Sequence, residues 1–184
     1  MTLARLGVSN YAAHHLEEIF ATGRYSPAVN QLEITPFCQR RSLVTWCRSR
    51  GIECQAWGSL TSGQVLRPAV GQSWPQHFPK EKGRTPEDGP TRSGILESIA
   101  AKTSMSVAQV LIRWGLQKGL SVLPRSRHPP HIKENWNARA DLCSNTGVGT
   151  AQHTELVLSE DQMIQLDELD EGRITCWNPS GSLC

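Results

Sequence analysis

No apolar run in the 184 residues approaches the roughly 18 that a membrane span needs. The opening stretch, MTLARLGVSNYAAHH, has no secretory h-region. Charge of one sign is also missing. Nineteen basic against seventeen acidic residues leave +2, too balanced for nucleic acid or an anionic membrane as main partner. The six cysteines, at 38, 47, 54, 143, 176 and 184, form no CxxC pair, and the six histidines show no ligand spacing. Zinc ribbons and disulfide frameworks are therefore disfavoured. These absences lead us to expect a soluble, cytoplasmic protein with free thiols and no metal, any phosphate binding being local.

What is present is ordinary globular material. Hydrophobic residues at 38%, with 15 glycines, come close to the low edge of the usual range of roughly 45–50%, which argues against disorder or collagen. Four times a short apolar stretch is followed by a helical pattern, the mark of βα units on a parallel sheet. Leu6-Gly7-Val8 leads into a helix with Leu16, Ile19 and Phe20 on one face. Ala28-Val29-Asn30-Gln31 precedes a helix with Leu43, Val44, Trp46 and Cys47, which Gly51 stops. A third strand, Ile52 to Trp57, is followed by two helices, one with Ile95, Leu96 and Ile99, the next with Val107, Val110, Leu111 and Trp114. Leu120 to Leu123 is the fourth strand, and a short helix follows near His131 to Ala138. The last helix buries Met163, Leu166 and Leu169. Ser106-x-x-Gln109 and Ser159-x-x-Gln162 are capping-box patterns at two helix starts.

Two segments break this rhythm, since compact domains rarely need loops beyond about 12–15 residues. Residues 65–93 hold five prolines and the basic cluster Lys80, Lys82 and Arg84. They read as a lid over a phosphate-bearing ligand or as a surface loop. Residues 142–153 are polar and aperiodic, an insertion without evident function.

Ligands of parallel βα folds bind at the carboxyl ends of the strands. Those ends carry Ser9-Asn10, Asn30-Gln31-x-Glu33, Trp57-Gly58-Ser59 and Pro124-Arg125-Ser126. Singly, a Ser or Asn after a strand is usually a helix cap. In this order, Gly7-Val8-Ser9-Asn10-Tyr11, Asn30-Gln31-Leu32-Glu33, Ala56-Trp57, Pro124-Arg125-Ser126 and Glu134-Asn135 resemble the aldo-keto reductase family. Ile99-Ala100, Ala108 through Trp114, and Trp177-Asn178-Pro179 extend the likeness over the chain outside the two long segments.

The resemblance implies a (β/α)8 TIM barrel that binds NADP and transfers a hydride from NADPH to a small aldehyde or ketone. That family has no glycine-rich dinucleotide fingerprint, so the absence of GxGxxG here is no objection. By position, Ser9, Asn10 and Gln31 would hold the nicotinamide carboxamide. Trp57 would stack on the ring, its alternative being an ordinary core tryptophan at a strand end. Leu60 and Ser62 match, loosely, the segment over the pyrophosphate. Arg125 and Ser126 stand where the family usually has Lys-Ser on the 2′-phosphate, and Arg keeps the charge while adding a fork. His131 replaces a second phosphate-binding Arg, which weakens the case for tight NADP selectivity, because an imidazole carries its charge less firmly at neutral pH. Glu134 and Asn135 match adenine contacts, although Glu134 also reads as a solvated helix residue.

The same resemblance makes the chain, residues 1–184, a partial domain equivalent to the C-terminal half of the barrel, about four strands where a full barrel usually takes about 250 residues. The family's catalytic Asp, Tyr, Lys and His come from the other half. Only two tyrosines occur, Tyr11 in the cofactor motif and Tyr25 in a turn, and neither fits the proton donor. A half barrel leaves two strand edges and an open apolar interior. We therefore expect a chain inactive alone, self-associating through its edges or folding poorly as a truncated product, with a non-catalytic NADP-sensing module as the alternative.

Overall fold

The computed structural model describes residues 5–61, 92–139, 156–172 and 174. In chain order these form β1 (Leu6–Ser9), α1 (Ala13–Ala21), β2 (Pro27–Glu33), α2 (Arg41–Arg48), β3 (Glu53–Trp57), α3 (Arg92–Thr103), α4 (Val107–Gln117), β4 (Ser121–Val122), α5 (Pro129–Asn137) and α6 (Glu160–Asp167). The strands make one parallel sheet in the order β1-β2-β3-β4, with β1 and β4 at its edges. Parallel neighbours require crossovers, and here each crossover carries helix. The α/β expectation of four parallel strands with helices is met. No single described helix is long and apolar enough to cross a membrane.

One face of the sheet makes the core. Leu32 of β2 and Cys54 and Ala56 of β3 are essentially sealed, packed in one cluster with Leu16, Cys47, Leu96, Ile99, Val110 and Leu111 from the helices. Gly115 lets α4 approach β4, for a Cβ there would stand 2.8 Å from Val122 Cγ2. The other face differs from the open apolar interior expected above. Register sets Ser9 beside Gln31, Gln31 beside Gln55, and Gln55 beside Ser121. Strand alternation places them opposite Leu32 and Ala56, so this face presents polar side chains alongside Val29 and Trp57. Polar groups left in water carry no desolvation cost, which makes the uncovered face tolerable.

Several boundaries shift for local reasons. β3 starts at Glu53 rather than Ile52, because the Ile52 N–H closes the end of α2 on Cys47 O at 3.0 Å after the left-handed Gly51 (φ 70°). β4 is only Ser121–Val122, since the Leu120 N–H goes to Gly115 O at 3.0 Å, although Leu123 N–H still reaches Ala56 O at 2.9 Å. α5 starts at Pro129, two residues earlier than read from the sequence, because the prolines lack N–H groups that a first turn leaves unpaired anyway. Both capping boxes form, Ser106 with Gln109 (3.0 and 3.2 Å) and Ser159 with Gln162 (2.8 and 3.3 Å). Helix α6 is tied down at its carboxyl end. Gln39 Nε2 donates to Asp167 O at 2.9 Å, Trp114 Nε1 donates to Asp167 Oδ1 at 2.9 Å, and Lys118 pairs with the same carboxylate.

Ser62, the Trp177-Asn178-Pro179 motif, residues 142–153 and residues 65–91 lie outside the described residues. Arg92 and Ser93, read above as loop, begin α3.

Candidate functional site

At the carboxyl ends of β1, β2 and β3 the structure brings four of the sequence-predicted residues together. Asn10 turns the chain out of β1 in the left-handed region (φ 57°), a conformation that asparagine tolerates better than most residues. Its N–H donates to Gln31 O at 2.8 Å, and Ser9 Oγ donates to the same carbonyl at 3.0 Å. Gln31 Nε2 donates to Gln55 Oε1 at 2.7 Å, across two strands. The Trp57 indole N–H donates to Asn10 Oδ1 at 3.3 Å, so the ring is oriented by the β1 turn. The whole cluster is uncharged and half-open to solvent.

Asn30 supports it from the buried face. Its side chain is sealed in the core, donates from Nδ2 to Tyr11 O at 2.8 Å and accepts at Oδ1 from Tyr11 N–H at 3.4 Å. The same Nδ2 stands 3.8 Å from Cys47 Sγ. A hydrogen bond from Cys54, with help from Asn30, holds the Cys47 thiol below its usual range, whereas that bond and burial push Cys54 up. After β3, Gly58 (φ 67°) makes a turn that Thr61 N–H closes on Gly58 O at 2.7 Å. A Cβ on Gly58 would press to 3.4 Å from Glu33 Cγ. Leu60, in that turn, packs its side chain against the core, and its carbonyl accepts from Thr61 Oγ1 at 2.8 Å.

The second grouping follows β4. A cavity of about 540 Å³ is lined by Arg125, Ser126, Asn135 and Arg139 over an apolar floor that includes Ile112 and Val122. Ser126 Oγ accepts from His128 N–H at 3.1 Å just before α5. Among the described residues no acidic side chain lines the cavity. Two arginines over an apolar floor suit an anion attached to a flat or apolar body. Two predicted residues stand apart from it. The His131 ring meets His128 edge-on at 5.4 Å, and Glu134 offers its carbonyl to Gln109 Nε2 at 3.3 Å without lining the wall.

Three contributors were given no role of their own in the sequence reading. Gln55 was legible, because it lies two residues before Trp57 and therefore on the same strand face. Asn30 is the reverse case. It sits one residue before Gln31, so alternation alone sends it into the helix side as a support. Arg139 follows Trp136 by three residues, the spacing of neighbours on a helical surface, but nothing in the sequence says that a cavity lies between that pair and Arg125.

The sequence model of the Aldo/keto reductase family matches residues 2–146. A 9,11-endoperoxide prostaglandin H2 reductase of Trypanosoma cruzi is 32% identical over 168 residues, covering 91% of this chain and 46% of that protein. A glyoxal reductase of Bacillus subtilis is 30% identical over 174 residues, covering 95% and 49%. Among solved structures, the apo form of Gox0644 superposes with a TM-score of 0.69 at 28% identity, covering 97% of this chain and 51% of that one. A mutant of Gox0644 was solved with NADPH, at the same TM-score and coverage. The chain thus spans about half the length of the relatives it matches, and its sheet is a partial barrel. It belongs to the aldo/keto reductase family of oxidoreductases.

Proposed function

We propose that this chain binds NADP and serves as the cofactor-holding part of a carbonyl reductase. One observation carries the reading: an uncharged amide and hydroxyl cluster beside an indole stands at the carboxyl ends of β1 to β3, and Arg125 and Ser126, which follow directly on β4 of the same parallel sheet, line a cavity there. These are the two chemistries that the two ends of NADP require. Gln31 and Asn10 offer amide acceptors and donors for the carboxamide, with Ser9 Oγ beside them. Trp57 offers its face to the ring, and because Asn10 fixes the indole, little ordering is left for the bound state. Arg125 and Ser126 face the phosphate end, with Asn135 for the adenine. NADPH, when bound, supplies a hydride to an aldehyde or ketone in the intact reductase.

A proton donor is the weak point. The Tyr11 backbone is clasped by Asn30, and Tyr25 precedes β2 at the opposite end of the sheet with 67% of its surface exposed. General acid catalysis contributes about 10²–10⁴-fold, so the chain alone is expected to bind cofactor with little or no carbonyl turnover. That placement of the tyrosines also favours a second reading, a non-catalytic NADP-responsive module. Tryptophan quenching by NADPH tests binding, and NADPH oxidation with a generic aldehyde tests turnover. Saturable quenching without oxidation supports the proposal; brisk oxidation contradicts the inactivity; no quenching by a chain that unfolds cooperatively contradicts the binding itself.

A further inference from the structure

Each of the two amides in the neutral cluster is held by a second side chain, and that hold decides which end of the amide is left for a ligand. An indole N–H can only donate, so the 3.3 Å bond from Trp57 Nε1 makes Asn10 Oδ1 the acceptor and leaves Asn10 Nδ2 as the donor end. Gln31 is fixed in the opposite sense. Its backbone carbonyl takes the Asn10 N–H at 2.8 Å and the Ser9 hydroxyl at 3.0 Å, while its side-chain Nε2 donates to Gln55 Oε1 at 2.7 Å. With Nε2 engaged, Oε1 is the end of the Gln31 amide left to accept. Gln55 stands directly beside Gln31 in the β2–β3 register and on the same face of β3 as Trp57. Turning an amide end over end exchanges donor for acceptor, so a bond to one end sets the chemistry of the other.

We infer that Gln55 is a positioning residue of this site: its Oε1 holds Gln31 Nε2 and thereby presents Gln31 Oε1 as an acceptor. Together with the donor end of Asn10 this gives one acceptor and one donor, the complement of a primary carboxamide. The inference rests on the NADP reading above and deepens it, since it names what makes the site choose a carboxamide over another ring substituent of the same size. Gln55 itself acts through Gln31 and needs no contact with the ligand.

The test titrates the full chain, Gln55→Met and Gln55→Glu with NADP+ and with its 3-acetylpyridine analogue, in which a methyl group replaces the carboxamide N–H2, and reads tryptophan fluorescence. The parent chain is expected to prefer NADP+ by about fivefold, in keeping with one neutral hydrogen bond. Gln55→Met releases the Gln31 amide, and the preference should fall to near parity. Gln55→Glu, which as a carboxylate can only accept, should keep it. Both ligands carry the same phosphates, so the added charge of Gln55→Glu moves their affinities together and leaves the ratio to report the amide. A thermal transition like that of the parent chain shows that Gln55→Met is folded; if it does not fold, Gln55→Glu decides, since loss of the preference there overturns the inference. A parent chain without the preference, or a Gln55→Met chain that weakens both ligands equally or neither, also overturns it while leaving the NADP reading standing. A parent chain that binds neither ligand overturns both.

Discussion

The two halves of the site are built on opposite physical plans. At the ends of β1 to β3, neutral side chains hold one another, Ser9 and Asn10 on Gln31, Gln31 on Gln55 and Trp57 on Asn10, so the shape exists before any ligand arrives. After β4, Arg125 and Arg139 line a cavity whose described lining holds no acid. The first region would gain affinity from preorganisation, which salt hardly touches. The second would gain it from charge, which salt screens over about 10 Å at 0.1 M. One sheet can thus carry a rigid recognition element and an electrostatic one side by side, and under the proposed NADP reading selectivity between phosphorylated and unphosphorylated cofactor would belong to the second.

The separation can be broken from either side. The largest effect on the choice between the two cofactors is expected from Arg125→Met, which should weaken NADPH by about tenfold and leave NADH unaltered in a fluorescence titration. Asn30→Ala should act on the other region through its scaffold. It leaves the Tyr11 N–H and C=O without their buried partner, at a cost of about 1–3 kcal/mol, visible as a lowered thermal midpoint with both cofactors weakened together. Trp57→Ala removes a stacking surface worth about 0.5–1.5 kcal/mol, so NADPH and NADH should both weaken several-fold by calorimetry. Ser126→Ala deletes one acceptor for the His128 N–H, and stability should fall by no more than about 1 kcal/mol in urea unfolding.

The neutral region was readable because strand alternation and a four-part motif order converge on it. Once Ser9, Gln31 and Trp57 are placed on strands, the sheet register brings them together. The charged region was readable only in its first two residues. Arg125 and Ser126 follow directly from β4, but Arg139 lies just beyond the end of α5, and only the structure shows that it lines the same cavity. The sequence likewise suggested an apolar inner face, since a barrel interior is usually packed. Ser9, Gln31, Gln55 and Ser121 make it polar instead, a pattern visible only when four separate strands are laid in register.

Cofactor affinity against ionic strength separates the two plans most sharply. For the full chain, NADPH should bind more tightly than NADH at low salt, and its affinity should fall toward that of NADH as salt rises, while NADH itself barely changes. Equal affinities at low salt, or parallel salt dependence for the two cofactors, would contradict a charged region that reads the 2′-phosphate beside a neutral one that reads the nicotinamide.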